Sequence, residues 1–385
     1  MINNISKQKF LEKISSIKYG SINIETSEGD KYYFKGEFPG EEANLKINNW
    51  SFVRKLAYTG DIGFAESYRD NKVETPNLLT LLTFALRNIQ AFDSYVNSNL
   101  FGRALHKIIY LLNTNTISQS RKNIHKHYDL GNDFYMKWLD KSMTYSSGIF
   151  NSKEDNLFDA QKNKYNRIIE NLNPSGRLLE IGCGWGGFIK QALSKKDFEI
   201  KGITLSSEQL HYAKNILGKN ANIALEDYRI QQGKFDNIVS IEMFEAVGSK
   251  YWPVYFRKVK ELLAENGKAV IQTITINEDL SEEYQKGADM IRSFIFPGGM
   301  LPSEFQFKYH ANKNGLKIID IYRFGHDYAK TLDLWANNFN LNINEIRRLK
   351  FDTKFIKLWN FYLASCSSCF SLNRTDVIQV TLEHA

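Results

Sequence analysis

Cysteine is scarce. The chain has 385 residues and three cysteines, Cys183, Cys366 and Cys369. So low and odd a number, with no leader-like apolar segment at the start, argues against a disulfide framework and for a reducing, cytoplasmic compartment. Cys366 and Cys369 form a CxxC, but a second pair to complete a zinc site is missing. The chain has seven histidines, and His211, His310 and His326 lack ligand spacing, so no metal is expected. No stretch of about 18 apolar residues occurs, which excludes a membrane-spanning helix and leaves only peripheral contact with a bilayer. There is also no Lys/Arg tract of the kind that binds nucleic acid.

Aromatic residues are abundant. They make up 14% of the chain, with 26 Phe and 20 Tyr, and hydrophobic residues as a whole make up 43%. That supplies a packed core, or the wall of a large apolar cavity. The formal net charge is +7, dispersed along the chain, which favours anionic partners such as a phospholipid surface. The length suggests two domains.

The two halves have different rhythms. In the first, "YGSINIETSEGDKYYFKGE" (19–37) reads as a hairpin and "ANLKINN" (43–49) as a short strand. Two helices separated by a Gly turn follow, and a third begins at Pro76. Residues 1–112 thus form a small α+β domain, ended by the polar link "NTNTISQSRKN" (113–123). From residue 177 strands alternate with helices. The strands are expected at 177–183, 198–205, 221–227, 235–244, 267–276, 316–324 and 376–383, forming a doubly wound α/β sheet. Two long inserts, 277–312 and 325–375, interrupt the alternation in this second domain, 113–385.

"LLEIGCGWGGF" (178–188) sets glycines between a strand and a helix, where backbone can approach a ligand and free N–H groups face it. Glu180 precedes the first glycine. The second strand ends in "GITLSSEQ" (202–209) rather than in a ribose-binding acid, and the third in "LEDY" (225–228). Together these favour S-adenosylmethionine over a nicotinamide cofactor.

"HKHYDLGNDFYMKWLD" (125–140), "MTYSSGIF" (143–150), "LLEIGCGWGGF", "GITLSSEQ", "VSIEMFEAVG" (239–248), "FIFPGGMLPS" (294–303) and "FGHDYAKTLDLW" (324–335) occur in one order. In that order they resemble the cyclopropane-fatty-acid synthase family of S-adenosylmethionine-dependent methyltransferases, which includes the mycolic acid cyclopropane synthases. The resemblance implies a Rossmann-like seven-stranded sheet with an antiparallel last strand, and a helical flap at "HYDLGNDFY" over the cofactor. For the cofactor it implies Tyr145 and Ser146 from a lid, Gly182 and Gly184 at the methionine part, Thr204, Leu205 and Gln209 at the ribose, and Glu226 and Asp227 near the adenine. It also implies that the two inserts form the acyl-chain pocket, with Phe294, Phe296 and Met300 in its wall. Tyr128 and Asp129 either belong to the flap or staple it to the sheet.

The implied chemistry is methyl transfer to the double bond of an unsaturated acyl chain, followed by proton loss to a base. In the family that base is thought to be a bound bicarbonate. Glu245, Ile274 and Tyr328 stand at positions of its cradle. Ser147 stands where the family has cysteine, Gln272 where it has histidine, and Ala246 where a histidine follows the glutamate. Serine and glutamine still donate hydrogen bonds, but neither carries charge near neutral pH. Three outcomes stay open: bicarbonate held by neutral donors, Glu245 as the base, or a changed product that keeps a methyl or methylene branch instead of a cyclopropane. The expected setting is the inner face of an anionic membrane, with unsaturated phospholipid acyl chains as partner, the N-terminal domain docking there and the oligomeric state open. A small-amine N-methyltransferase and a lipid carrier that binds S-adenosylmethionine without turnover are the alternatives.

Overall fold

The computed structural model describes residues 2–96, 119 and 130–385. The link at 113–123 and the flap residues Tyr128 and Asp129 lie outside the described residues, save Gln119. The chain divides into two compact units.

The first unit contains the described residues up to 112, together with Lys286–Ile295 and Ile343–Leu372. Its sheet joins β1 (Tyr19–Thr26), β2 (Lys31–Lys35), β3 (Phe38–Ile47) and β4 (Val73–Glu74) in the order β2-β1-β3-β4. The β1–β2 pair is the expected hairpin. The Gly turn lies inside one helix, Ser51–Arg69, which kinks at Gly60 where φ is 57°. The next helix, Leu78–Arg87, starts two residues beyond Pro76, because the Asn77 side chain accepts from the Thr80 amide and caps it.

Both inserts were expected to lie wholly in the second domain, and parts of each depart from that. Lys286–Ile295 and Ile343–Leu372 belong to the first unit. The reason is packing. Helix Thr353–Ser371, capped by Asp352, sets Phe361 edge-on to Phe64 at 5.5 Å and Ser368 within 2.9 Å of Thr83.

The second unit carries the remaining seven strands of the described residues. They are β5 (Gly176–Ile181), β6 (Phe198–Thr204), β7 (Asn222–Leu225), β8 (Phe235–Ile241), β9 (Leu263–Ile276), β10 (Leu316–Arg323) and β11 (Thr375–His384). Their order is β10-β11-β9-β8-β5-β6-β7. Strands β5 to β9 pair in parallel, and β11 runs antiparallel between β9 and β10. The central strands read as unbroken apolar runs because helices cover both faces. Leu178, Leu179, Ile238, Val239, Val270 and Ile271 are buried accordingly. The parallel strands open their carboxyl ends along one edge, where ligands of such sheets bind. Among the described residues no helix is long and apolar enough to cross a membrane.

Candidate active site

The glycine loop follows β5. Gly182, Gly184 and Gly186 all have positive φ, and a Cβ at Gly182 would meet the Met243 side chain at 2.8 Å. A Cβ at Gly184 would project into open space. The helix Gly187–Leu193 begins here. Glu180, at the end of β5, is buried, and its Oε2 has no partner among the described residues. Burial raises this carboxyl to about 8, with Lys164 opposing. An orphaned buried carboxyl beside half-buried glycine-loop backbone fits the cationic amino-acid end of S-adenosylmethionine, whose positive charge favours its ionised form.

At β6, the Thr204 hydroxyl donates to Gln209 Oε1 at 2.8 Å and accepts from the Ser206 amide, while Leu205 is half-buried between them. Ser206 caps the helix Ser207–Leu217 that carries Gln209. Beyond β7, Glu226 accepts from Lys201 Nζ at 2.8 Å and from Gln231 Nε2. Both oxygens of Asp227 are held by the Arg229 guanidinium, at 2.8 and 2.6 Å. These acids have protein partners, and each oxygen keeps acceptor capacity for a ligand.

The segment 143–150 is tied along one helix, Leu157–Glu170. Thr144 Oγ1 meets Tyr165 OH at 2.7 Å. The Ser146 carbonyl accepts from Gln161 Nε2 at 2.8 Å, and its hydroxyl accepts from Lys164 Nζ at 2.5 Å. Gly148 passes so close to Ala160 that a Cβ would sit 2.7 Å from the alanine methyl. The Ile149 amide donates to the Ala160 carbonyl. Upstream, Asn132 accepts from Trp185 Nε1 at 2.6 Å and so joins the described end of the flap to the glycine loop.

Tyr145 sits in an aromatic array. Its ring lies 5.6 Å from Tyr135, 5.3 Å from Trp138, 5.3 Å from Trp335 and 6.4 Å from Phe296. Trp335 also meets Tyr328 edge-on at 6.1 Å.

Three of the residues expected around the base meet instead on a residue that was not expected, Glu242. Its Oε1 accepts from the Ser147 amide at 2.9 Å and from Gln272 Nε2 at 2.7 Å. Its Oε2 accepts from the Tyr328 hydroxyl at 2.5 Å. These donors come from the 143–150 segment, β9 and the helix Gly325–Leu341. Gln379 on β11 stands opposite Gln272 and donates to its Oε1 at 3.0 Å, which turns the Gln272 amide nitrogen toward Glu242. The Ser147 hydroxyl itself donates to the Gly148 carbonyl. Burial raises the Glu242 carboxyl, against the Tyr328 hydroxyl, Lys164, the Ser147 amide and Gln272. Its backbone is left-handed, with φ at 48°, a conformation that costs a non-glycine residue about 1–2 kcal/mol.

Glu245 occupies a neighbouring position. Its Oε1 accepts from the Ile274 amide at 2.5 Å and the Thr273 hydroxyl at 2.9 Å, and its Oε2 is buried with no partner among the described residues. Burial first, and then the charge of Glu242, raise it to about 8. The residues expected around one anion therefore divide: Ser147, Gln272 and Tyr328 serve Glu242, and Ile274 serves Glu245.

Of the expected wall residues, Met300 is buried and donates its amide to the Glu245 carbonyl at 2.9 Å, and Phe296 faces Tyr145. Phe294 lies in the first unit. Glu242, Lys164 and Gln379 were missed. Glu242 stands within "VSIEMFEAVG", and its placement directly after a buried strand was the available signal. Lys164 and Gln379 gave none.

The family model described as mycolic acid cyclopropane synthetase matches residues 115–380. A tuberculostearic acid methyltransferase of Mycobacterium tuberculosis is 32% identical over 354 residues, covering 86% of this chain and 81% of that protein. The cyclopropane-fatty-acyl-phospholipid synthase of Escherichia coli is 32% identical over 350 residues, covering 88% and 87%. Among solved structures, a mycolic acid cyclopropane synthase complexed with SAH and CTAB is similar with a TM-score of 0.64 at 29% identity, covering 68% of this chain and 97% of that one.

Proposed function

The chain belongs to the mycolic acid cyclopropane synthetase family and is an S-adenosylmethionine-dependent methyltransferase; on that premise we propose that it methylates the double bond of an unsaturated fatty acyl chain in a phospholipid and leaves the new carbon as a branch, with Glu242 as the base. The observation that carries this reading is the convergence of Ser147, Gln272 and Tyr328 on the Glu242 carboxylate.

When bound, S-adenosylmethionine supplies a methyl group on a positive sulfonium, to which the π electrons of the alkene bond as the carbon–sulfur bond breaks, leaving positive charge on the neighbouring alkene carbon. Glu180 offers the cofactor its orphaned carboxylate oxygen. Tyr135, Trp138, Tyr145 and Trp335 keep water away, and their ring faces favour a nearby cation. Glu242 then takes a proton from the chain.

A carboxylate locked by three donors reaches one fixed position. In the family the ring-forming proton loss is thought to go to a bound bicarbonate, and in this reading Glu242 acts in its stead, since it engages three of the residues expected around that anion. We therefore assign loss of the proton that faces Glu242, giving a methyl- or methylene-branched, still unsaturated chain, without bicarbonate. The tuberculostearic acid methyltransferase among the relatives is in keeping with a branched product. CTAB, an amphiphile with one long alkyl chain, in the complex of the solved relative is in keeping with an acyl pocket. In this reading Phe296 and Met300 line that pocket, the charge of +7 favours an anionic bilayer surface, and the enzyme works peripherally at the membrane.

NMR of lipids extracted from an expressing host tests the product. Olefinic or exomethylene protons next to a new branch are expected. Upfield cyclopropane methylene signals would overturn the branched assignment.

A further inference from the structure

Lys164 has no role in the chemistry above. It is fully buried on the helix Leu157–Glu170, and among the described residues its amine makes a single side-chain hydrogen bond, to Ser146 Oγ at 2.5 Å. It forms no ion pair among the described residues, although the buried carboxylates of Glu242, Asp140 and Glu180 all act on it electrostatically. Tyr165 lies beside it, with the amine 4.4 Å from the ring centroid. Asp140 is engaged by Ser142 and Thr144, and Glu242 by its three donors. Glu180 remains, with an unpartnered oxygen.

A buried lysine amine with spare donors and a buried carboxyl with a spare acceptor act on one another electrostatically without forming an ion pair, and the opposite charges of a bound zwitterion favour the ionised form of each. Such a pair is complementary to a zwitterion: the carboxylate takes its ammonium and the ammonium takes its carboxylate. Ser146 connects Lys164 to the ligand. A lysine ammonium only donates, so the Ser146 oxygen accepts from it and the serine proton points elsewhere. Gln161, one turn before Lys164, holds the Ser146 carbonyl and fixes the residue from its other side.

We propose that Lys164 is a positioning residue for the α-carboxylate of the cofactor: it orients the Ser146 hydroxyl as a donor and supplies the positive charge behind it, opposite Glu180 at the α-ammonium. The inference rests on Ser146 facing the amino-acid end of S-adenosylmethionine.

The test is calorimetric binding of S-adenosylhomocysteine and of its decarboxylated analogue, which keeps the amine and lacks only the carboxylate. Wild-type protein is expected to prefer S-adenosylhomocysteine by about tenfold or more, the worth of a charge-assisted hydrogen bond. Lys164→Met and Ser146→Ala should each bring the ratio close to one while leaving binding of the analogue nearly unchanged. A merely structural lysine would weaken both ligands alike and keep the wild-type ratio, which would overturn the proposal. A ratio lost in Ser146→Ala but kept in Lys164→Met overturns the role of Lys164 alone. A ratio kept in both, or absent from the wild type, overturns the placement of Ser146 as well. If Lys164→Met does not fold, Lys164→Gln, which keeps a donor but no charge, must give an intermediate ratio, and a full wild-type ratio would overturn the proposal.

Discussion

The cofactor half of the site and the base half are built on opposite principles. At the ends of β5 to β7, groups are left with capacity to spare: Glu180 Oε2 lacks a partner and the glycine loop turns open backbone outward. Beyond β8 and β9, the Ser147 amide, the Gln272 side chain and the Tyr328 hydroxyl are already used by Glu242. One half waits for charge from outside and the other carries its own. A side-chain carboxylate cannot diffuse away, but it is confined to one place, and it required a left-handed backbone at position 242.

The largest expected effect comes from removing the base while keeping its shape. Glu242→Gln should lower turnover by about 100-fold or more, the usual contribution of a general base, with S-adenosylhomocysteine binding retained because the cofactor half is untouched. Single-turnover rates and calorimetry check this, and a variant of normal rate would collapse the distinction between the halves. Glu242→Gly sharpens it. Turnover should fall, yet stability should stay within about 1 kcal/mol of wild type, because relief of the left-handed backbone offsets lost hydrogen bonds. Added bicarbonate should restore part of the turnover and divert product toward the ring. Denaturation curves and lipid NMR read both results, and no recovery at any bicarbonate concentration would sink the view that Glu242 stands in for a bound anion.

The smallest effect concerns Glu245. Its folded-state value of about 8 lies above its ordinary 4.5. The folded protein thus holds a proton that the unfolded chain releases, so this stabilising contribution is complete below pH 4.5 and is lost as pH rises through 8. Glu180 acts in the same direction. Lys164, lowered from 10.5 to about 7, acts oppositely above pH 7. The Tm of the ligand-free enzyme should therefore fall between pH 5 and pH 7, and Glu245→Gln should make that fall shallower by a few degrees, on the order expected for such a contribution. An unchanged slope would show that Glu245 is ionised in the folded state.

Local signals made the sheet legible. All seven strands of the second unit fall where apolar runs bounded by turns put them, and the glycine loop declared itself because strand, glycines and helix are contiguous in sequence. The base pocket was legible only in part. Ser147, Gln272 and Tyr328 were picked out one by one, but that they meet on Glu242 depends on three segments far apart in the chain. Glu245, three residues on, carries the motif's glutamate, but its amide partner Ile274 belongs to a different anion from Glu242. Likewise nothing local reveals that Lys286–Ile295 and Ile343–Leu372 leave the sheet to join the first unit, since that is decided by contacts such as Phe361 on Phe64.

Strand β11 is the last of the seven in the chain, yet it lies inside the sheet, between β9 and β10. It also carries Gln379, which aims Gln272 at Glu242. During synthesis on the ribosome, β10 therefore has no neighbour to pair with until β11 emerges, and the base pocket lacks the residue that sets its orientation. A nascent chain can assemble the cofactor half from β5 to β7 well before this. The order of translation thus separates the capacity to hold the methyl donor from the capacity to use it, and a chain cut short before β11 would lack the second.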